Sequence, residues 1–343
     1  MKRNLFTSLL ALAACAALTA HAGAQTRRAR GAGATGPASV QAAAQAVPLP
    51  ASDAVVTVEL RRLLNEAVPR AVGGDAAREA QFRADIEQFK SRTGIDARAF
   101  ETLAVGARLQ QLGSGAMKLD HVVAVARGTF DPAAVVAAGR AAAAGSYSAQ
   151  QHAGKTVHVF GVNDRIRLFG LVNLRVRELA VAALDANTLA VGEPEAVRAA
   201  VDAQAGRGRV DAALASPARG PNDLVAFAGN VPPAAFAGID VGLPEVNKSI
   251  EAIRGFRGTL GMTAAGFQMT TVLRSASAAD ATRLGNTVEA LRAVVPGLVS
   301  MGGSRARLVQ SAVESLKITT QGTEVQLRAD LPEDYVASLL RNL

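Results

Sequence analysis

Two kinds of local connection recur along residues 53–343: strand pairs joined by tight turns, and strands followed by a helix that opens with proline. The tight turns lie in "YSAQQHAGKTVHVFG" (147–161) and "ELAVAALDANTLAVG" (178–192), where apolar runs flank short polar or glycine-containing stretches. At Asp131 and Pro132 an aspartate fits the capping position and a proline fits the first helical position. Because tight hairpins join antiparallel neighbours, the sequence predicts an α+β fold with antiparallel sheets and packed helices.

The same order of patterns returns after residue 221. Residues 222–236 are similar to 121–135 and also fill the opening position held by 52–64. Residues 256–285 parallel 100–139, and 318–340 parallel 179–201. Their separation is about 160 residues, and Pro-Glu opens a helix in both members of the last pair. This pattern predicts two weakly similar halves, 53–205 and 222–343, joined by a Gly/Pro/Arg-rich linker at 206–221.

The first 24 residues have the features of a secretory signal. A basic start, "MKRN", is followed by the apolar run "LFTSLLALAACAAL", and the small-x-small patterns of a cleavage site follow at 20–22 and 22–24. The run is too short for an ordinary transmembrane helix, which needs about 20 apolar residues. We therefore expect residues 1–24 to be removed and the protein to be exported, either to the periplasm or to the medium.

Cys15 is the only cysteine in the chain, and it ends the tetrapeptide "LAAC". This tetrapeptide resembles a lipobox, in which the cysteine becomes a lipidated N-terminus. The alternative is plain cleavage after residue 22 or 24, which would discard Cys15 and leave a mature protein without disulfides or thiol chemistry. A lipid at Cys15 is the only membrane attachment that the sequence predicts.

Residues 25–52 are rich in Ala, Gly, Pro and Gln and contain few large apolar side chains. Such a segment buries too little apolar surface to fold, so the sequence predicts a disordered tether. Its "GAGATG" (31–36) matches the GxGxxG pattern of dinucleotide-binding loops, but no strand precedes it and no helix pattern follows. We interpret the match as a product of composition.

The formal net charge of +8 does not predict nucleic-acid binding. Five basic residues and no acidic residue lie in 1–52, which leaves +3 on the remainder. Aromatic residues make up 4% of the chain, with no Trp and two Tyr, whereas single-stranded nucleic acids are usually bound by stacking on aromatic rings. Nucleic acid is therefore not an expected partner.

The sequence predicts no catalytic residues, no cofactor site and no metal site. Beyond the signal the histidines are His121, His152 and His158, and a zinc site without cysteine would need all three together with a carboxylate. Asp120 and His121 resemble a catalytic dyad, yet adjacent strand residues normally point to opposite faces. We therefore expect a non-enzymatic protein, with an enzyme built from dispersed residues as an alternative.

The most unusual segment is "RIRLFGLVNLRVR" (165–177), in which basic and apolar residues alternate at both ends. In extended form this alternation creates a basic face opposite an apolar face. One interpretation is a contact for an anionic partner; the other is a solvated sheet face or an edge strand protected by charge. The basic residues are Arg165, Arg167, Arg175 and Arg177.

Together these features predict an exported cell-envelope protein that binds a ligand or a partner, such as another envelope protein or an anionic molecule. A carrier for an apolar molecule or a lipid is an alternative, suggested by the strand-rich, Ala/Val/Leu-heavy composition. The chain resembles uncharacterised exported α+β proteins of GC-rich bacteria, in its signal with a possible lipobox and in the general pattern of residues 53–343. That resemblance implies no particular activity.

Overall fold

The computed structural model describes most of the chain beyond the predicted signal and tether. The described residues are 47–111, 117–143, 146–168, 172–215, 220–233, 235–236, 243–299, 312–333 and 336. The predicted signal, Cys15 and most of the predicted tether lie outside these ranges. Within them, no helix is long and apolar enough to cross a bilayer.

The helices begin and end at residues with recognisable capping chemistry. Asp75 accepts hydrogen bonds from two backbone amides at the start of α2, and Gly94 ends that helix at φ 70°, in the left-handed region. Asp131 caps α3 in the same way, with Pro132 at the first helical position, as the sequence predicts. The first helix, α1, is α-helical over Leu60–Arg62 and Val68–Val72, with a π-helical turn at Leu63–Ala67 between them. The other helices are α2 (Ala76–Thr93), α3 (Pro132–Ala142), α4 (Pro194–Gln204), α5 (Ala212–Ala215), α6 (Pro244–Glu251) and α7 (Ala278–Val299).

The strands of the described residues form one continuous antiparallel sheet of twelve. Their spatial order is β11-β12-β10-β9-β8-β1-β2-β3-β7-β6-β5-β4. This arrangement, with helices packed on the sheet, confirms the α+β prediction. The strands are β1 (Ala54–Val58), β2 (Phe100–Gln111), β3 (Met117–Gly128), β4 (Tyr147–His152), β5 (Lys155–Leu168), β6 (Val172–Asp185), β7 (Thr188–Gly192), β8 (Asp223–Asn230), β9 (Ile253–Thr263), β10 (Gly266–Ser275), β11 (Lys317–Gln321) and β12 (Glu324–Leu331).

The two predicted halves meet at the centre of this sheet, where β1 pairs antiparallel with β8. Outward from that pair, the strand order is β1-β2-β3-β7-β6-β5-β4 on one side and β8-β9-β10-β12-β11 on the other. The first five strands on each side follow a corresponding order, in which β8 takes the position of β1 and not that of β3, which residues 121–135 include. The internal repeat itself stays a prediction, because a shared strand order can arise without duplication.

Apolar side chains are buried on both faces of the sheet. Along β3, Ala124 and Ala126 belong to one buried cluster, whereas Val123 and Val125 belong to another. Because successive strand residues point to opposite faces, the two clusters lie on opposite sides of the sheet. The first cluster includes residues of both halves of the sheet and of α2, α3 and α7. The second includes residues of α4 and α5 and lies mainly on the first half, with Ala228 of β8.

Two segments that the sequence places outside the folded halves contribute to the core. Leu49, in the predicted tether, is 2% exposed and packs in the cluster under α4. Val210 and Leu214, in the predicted linker, are buried in the same cluster, and Leu214 lies on α5. A bridge between Pro50 and Arg209 holds the two segments together. The few large apolar residues of the described parts, 47–52 and 206–215, therefore attach these parts to the core.

Candidate functional site

The arginine-rich segment forms a two-stranded ribbon that extends beyond the sheet. β7 pairs with β6 only over Ala180–Asp185, and β4 pairs with β5 only over Lys155–Phe160. Residues 164–168 and 172–176 therefore pair only with each other among the described strands. We call residues 161–168 and 172–178 the arm. Five paired residues correspond to a projection of about 17 Å.

The backbone register places the four arginines on one face of the arm. Arg165 pairs with Arg175, and Arg167 pairs with Asn173. Arg177 follows Arg175 by two residues, so strand alternation places it on the same face, and its side chain is exposed. The side chains of Arg165, Arg167 and Arg175 lie outside the described part of the structure. Like charges directly opposite each other destabilise a strand pair, so the Arg165–Arg175 pairing costs stability unless an anion lies nearby.

His121 makes contacts that the sequence did not predict. The expectation that Asp120 and His121 point to opposite faces is wrong: His121 Nδ1 lies 3.0 Å from Asp120 Oδ2, and Nε2 lies 3.5 Å from Glu195 Oε2. The physical reason is a β-bulge, in which His121 adopts φ 53°, outside the extended region. This backbone turn redirects the imidazole toward its neighbour and toward the start of α4.

The contacts around His121 tie the bulge of β3 to α4. The His121 backbone amide donates to Glu193 Oε2 at 3.2 Å, and the Glu193 amide donates to the Val122 carbonyl at 3.0 Å. Lys118 donates to Asp120, and this hydrogen bond holds the pKa of the Asp120 carboxyl below its usual range. The side chain of Glu195 is 77% exposed. These contacts indicate that His121 and its neighbours hold α4 against the bulge of β3.

His152 lies apart from the other two histidines, at the end of the hairpin formed by β4 and β5. Its Nε2 is 3.1 Å from Asp202 Oδ2 on α4, and Arg207 donates to the other carboxylate oxygen at 2.5 Å. The hydrogen bonds from Arg207 and His152 lower the pKa of the Asp202 carboxyl. Among the described residues, no group of three or more His, Cys, Asp or Glu side chains is placed to hold a metal ion.

A third cluster joins α3 to the free edge of the sheet. Arg140 Nη2 donates to the Tyr147 hydroxyl, and Tyr147 Oη lies 2.8 Å from His158 Nδ1. The Arg140 guanidinium carbon also lies 4.1 Å from the centroid of the Tyr147 ring, within the range of a cation–π contact. We call Arg140, Tyr147 and His158 the tyrosine cluster.

Sequence reasoning did not identify the tyrosine cluster, although part of it could have been found. The hairpin turn at Ala153 and Gly154 sets the register in which Ala149 pairs with His158 and Tyr147 pairs with Phe160. Tyr147 and His158 are therefore diagonal neighbours on one face, at a separation that aromatic side chains can span. The contribution of Arg140 depends on how α3 packs on the sheet, and no local pattern reports that packing.

The second half of the sheet has a polar face opposite the shared core cluster, which we call the open face. On β12, Gln326, Arg328 and Asp330 are exposed on this face and alternate with apolar residues that pack in the core. Arg257 forms two 2.8 Å hydrogen bonds to the Glu324 carboxylate, which lower the pKa of Glu324 and raise that of Arg257. An antiparallel sheet with one solvated face explains this pattern.

No family model and no curated protein matches the sequence. Among solved structures, the chain is similar to TP0453 in crystal forms I, III and IV, with sequence identities of 8%, 10% and 9% and TM-scores of 0.40, 0.44 and 0.44. The matches cover 86%, 87% and 86% of this chain and 95%, 97% and 95% of the matched chains. At such identities and TM-scores, the likeness carries no inference about function.

Proposed function

We propose that the protein is an exported, non-enzymatic binding protein of the cell envelope that uses the arm to contact an anionic partner. The observation that carries this proposal is the register of the arm, which pairs Arg165 with Arg175 beyond the edge of the sheet. Two like charges in adjacent strands repel, and an anion between them converts that repulsion into attraction.

The charge of the arm supports its role as the contact for an anionic partner. Two exposed arginines elsewhere show how nearby acids can compensate the charge: Arg83 pairs with Glu79, and Arg257 pairs with Glu324. On the arm, Asp164 and Glu178 are the only acidic residues beside four arginines. The arm thus has a net positive charge on a short backbone segment, a pattern that favours a polyanion over a neutral ligand.

The test compares neutralisation of the arm with an equal loss of charge elsewhere. The arm variant is R165Q/R167Q/R175Q/R177Q. The control variant is R61Q/R78Q/R83Q/R207Q, whose arginines are exposed and distant from the arm in sequence. Binding is measured to poly-glutamate, which represents an acidic protein, and to vesicles rich in phosphatidylglycerol, which represent lipid head groups.

We expect the wild type and the control variant to bind at least one of the two polyanions, and the arm variant to lose that binding. Equal binding by both variants would refute the arm as the contact. The alternative, a charge-protected edge, predicts instead that the arm variant self-associates, which light scattering detects as a rise in molar mass. Self-association of the arm variant, without binding of the wild type to either polyanion, would overturn the proposal.

Export rests on the sequence of residues 1–24, and we propose two alternative mature forms. In one, Cys15 is the N-terminus and holds the protein to a membrane by its lipid; in the other, Cys15 is discarded with the signal. The intact mass of the protein recovered from its native cells distinguishes them, because acyl chains add mass to an N-terminal cysteine. Recovery of the uncleaved chain from the cytoplasm would refute export.

A further inference from the structure

The hydroxyl of Tyr147 lies between a group that can only donate and a group that can accept. Arginine has no acceptor, so the hydrogen bond from Arg140 uses a lone pair of the tyrosine oxygen. The hydroxyl hydrogen is then free to point at His158 Nδ1, which lies 2.8 Å away. We assign Tyr147 as the donor to His158, with the imidazole hydrogen on Nε2.

The surroundings of His158 favour the neutral imidazole that this hydrogen bond requires. Burial, and secondarily the positive charge of Arg140, lowers the pKa of His158 from its ordinary value. At neutral pH the imidazole therefore has an unprotonated nitrogen, and the register of the hairpin directs it at the hydroxyl. The three groups have the arrangement of a nucleophile, its base and a cation beside the developing charge.

The cluster is rigid on one side and open on the other. Phe160 is 1% exposed, and its ring centroid lies 5.5 Å from that of Tyr147, so the tyrosine ring rests on the core. Tyr147 itself is 38% exposed and begins β4, the last strand of the sheet. The next three residues of β4 are exposed as well. An electrophile can therefore approach the oxygen from solvent.

We propose that Tyr147 is a nucleophilic phenol that forms covalent adducts with sulfonyl and acyl electrophiles, with His158 as its base and Arg140 stabilising the phenolate as it develops. With a sulfonyl fluoride, the tyrosine oxygen attacks sulfur while its proton passes to His158 Nδ1. The S–F bond breaks and fluoride leaves with the bonding electron pair. The products are a sulfonate ester on Tyr147 and a protonated His158, which returns its proton to solvent.

The test uses the full chain and phenylmethanesulfonyl fluoride. Peptide mass spectrometry measures the rate of modification at Tyr147 relative to N-acetyltyrosinamide in the same solution. A positioned general base accelerates such a step on the order of 100-fold, so we expect Tyr147 to react faster than the free phenol by about that factor. Tyr335, the other tyrosine of the chain, provides a second internal comparison.

Variants separate activation from simple exposure. H158Q removes the base and is expected to abolish most of the acceleration, and R140Q is expected to reduce it by a smaller factor. H152Q is the matched control, because His152 belongs to the same hairpin but contacts Asp202, and its rate should equal that of the wild type. Circular dichroism and thermal unfolding of each variant check that its fold is retained.

If Tyr147 of the wild-type protein is modified no faster than N-acetyltyrosinamide, the proposal is overturned, whatever the variants show. An accelerated rate that H158Q leaves unchanged would also overturn it, because the base would not be His158. Acceleration that is lost in H158Q and kept in H152Q would support it. Binding of polyanions by the arm is independent of this result, so the two proposals succeed or fail separately.

Discussion

Replacement of Gly139 by alanine tests how tightly α3 packs on the sheet beside the tyrosine cluster. A methyl group at residue 139 would lie 2.9, 3.1 and 3.3 Å from three atoms of the Phe160 ring. Phe160 is buried and has little freedom to move. Overpacking a core costs about 1–3 kcal/mol, whereas alanine in a helix interior gains about 1 kcal/mol over glycine. Because the cost of overpacking exceeds the gain in helix preference, we expect G139A to lower the free energy of unfolding by up to about 2 kcal/mol.

The effect of G139A on the free energy of unfolding should change sign when leucine replaces Phe160. Leucine has no atoms in the positions of the three ring atoms, so in an F160L background the new methyl meets open space. There we expect G139A to raise the free energy of unfolding by about 1 kcal/mol, its intrinsic helix preference. The coupling between the two sites would then be about 1–3 kcal/mol.

The assay is urea-induced unfolding of the wild type, the two single variants and the double variant, followed by far-UV circular dichroism. Comparable m-values across the four proteins show that the same transition is being compared. A stabilising effect of G139A in the wild type, or an equal effect in both backgrounds, would refute the packing of Gly139 against Phe160.

Three further predictions concern single residues. Because the folded-state pKa of His158 is lowered, the unfolded chain binds more protons near pH 6, so stability falls as the pH drops below about 6.5; H158Q should flatten this dependence in urea titrations at several pH values, and an unchanged slope would contradict it. At His121, with φ 53°, H121G should be more stable than H121A by about 1 kcal/mol, since both lose the imidazole but only glycine relieves the backbone; the reverse order would contradict the strained bulge. D131A should cost about 1 kcal/mol by removing the cap of α3, whereas D131N, which keeps an acceptor, should cost less; equal losses would argue against capping.

Local chemistry accounts for the parts of the fold that the sequence predicts. The turn within residues 147–161 and the cap at Asp131 depend on a few neighbouring residues, and each occurs where expected. The central pairing of β1 with β8 and the position of β12 between β10 and β11 depend on contacts distant in sequence. Composition and periodicity do not encode those contacts directly.

In the candidate sites, too, some features follow from the local sequence and others depend on the fold. Alternation alone places Arg165 and Arg167 on one face, but the extension of the arm beyond the sheet follows from where β4 and β7 stop pairing. The contact of His121 with Asp120 depends on a positive φ at a non-glycine residue, which regular strand alternation does not anticipate. Leu49 shows that one apolar residue in a low-complexity segment can be buried in a core cluster formed by residues distant in sequence.

Contact between the arm and a polyanion is tested most directly by reporters at two positions. In a chain with Cys15 replaced by serine, an environment-sensitive dye is placed on N173C in the arm or on T319C, which is exposed on β11. Poly-glutamate and phosphatidylglycerol-rich vesicles are added separately to each. We predict that the emission of the arm label changes with at least one of them and that the β11 label does not respond. A response at the β11 label alone would place the polyanion on the open face and contradict the proposed function.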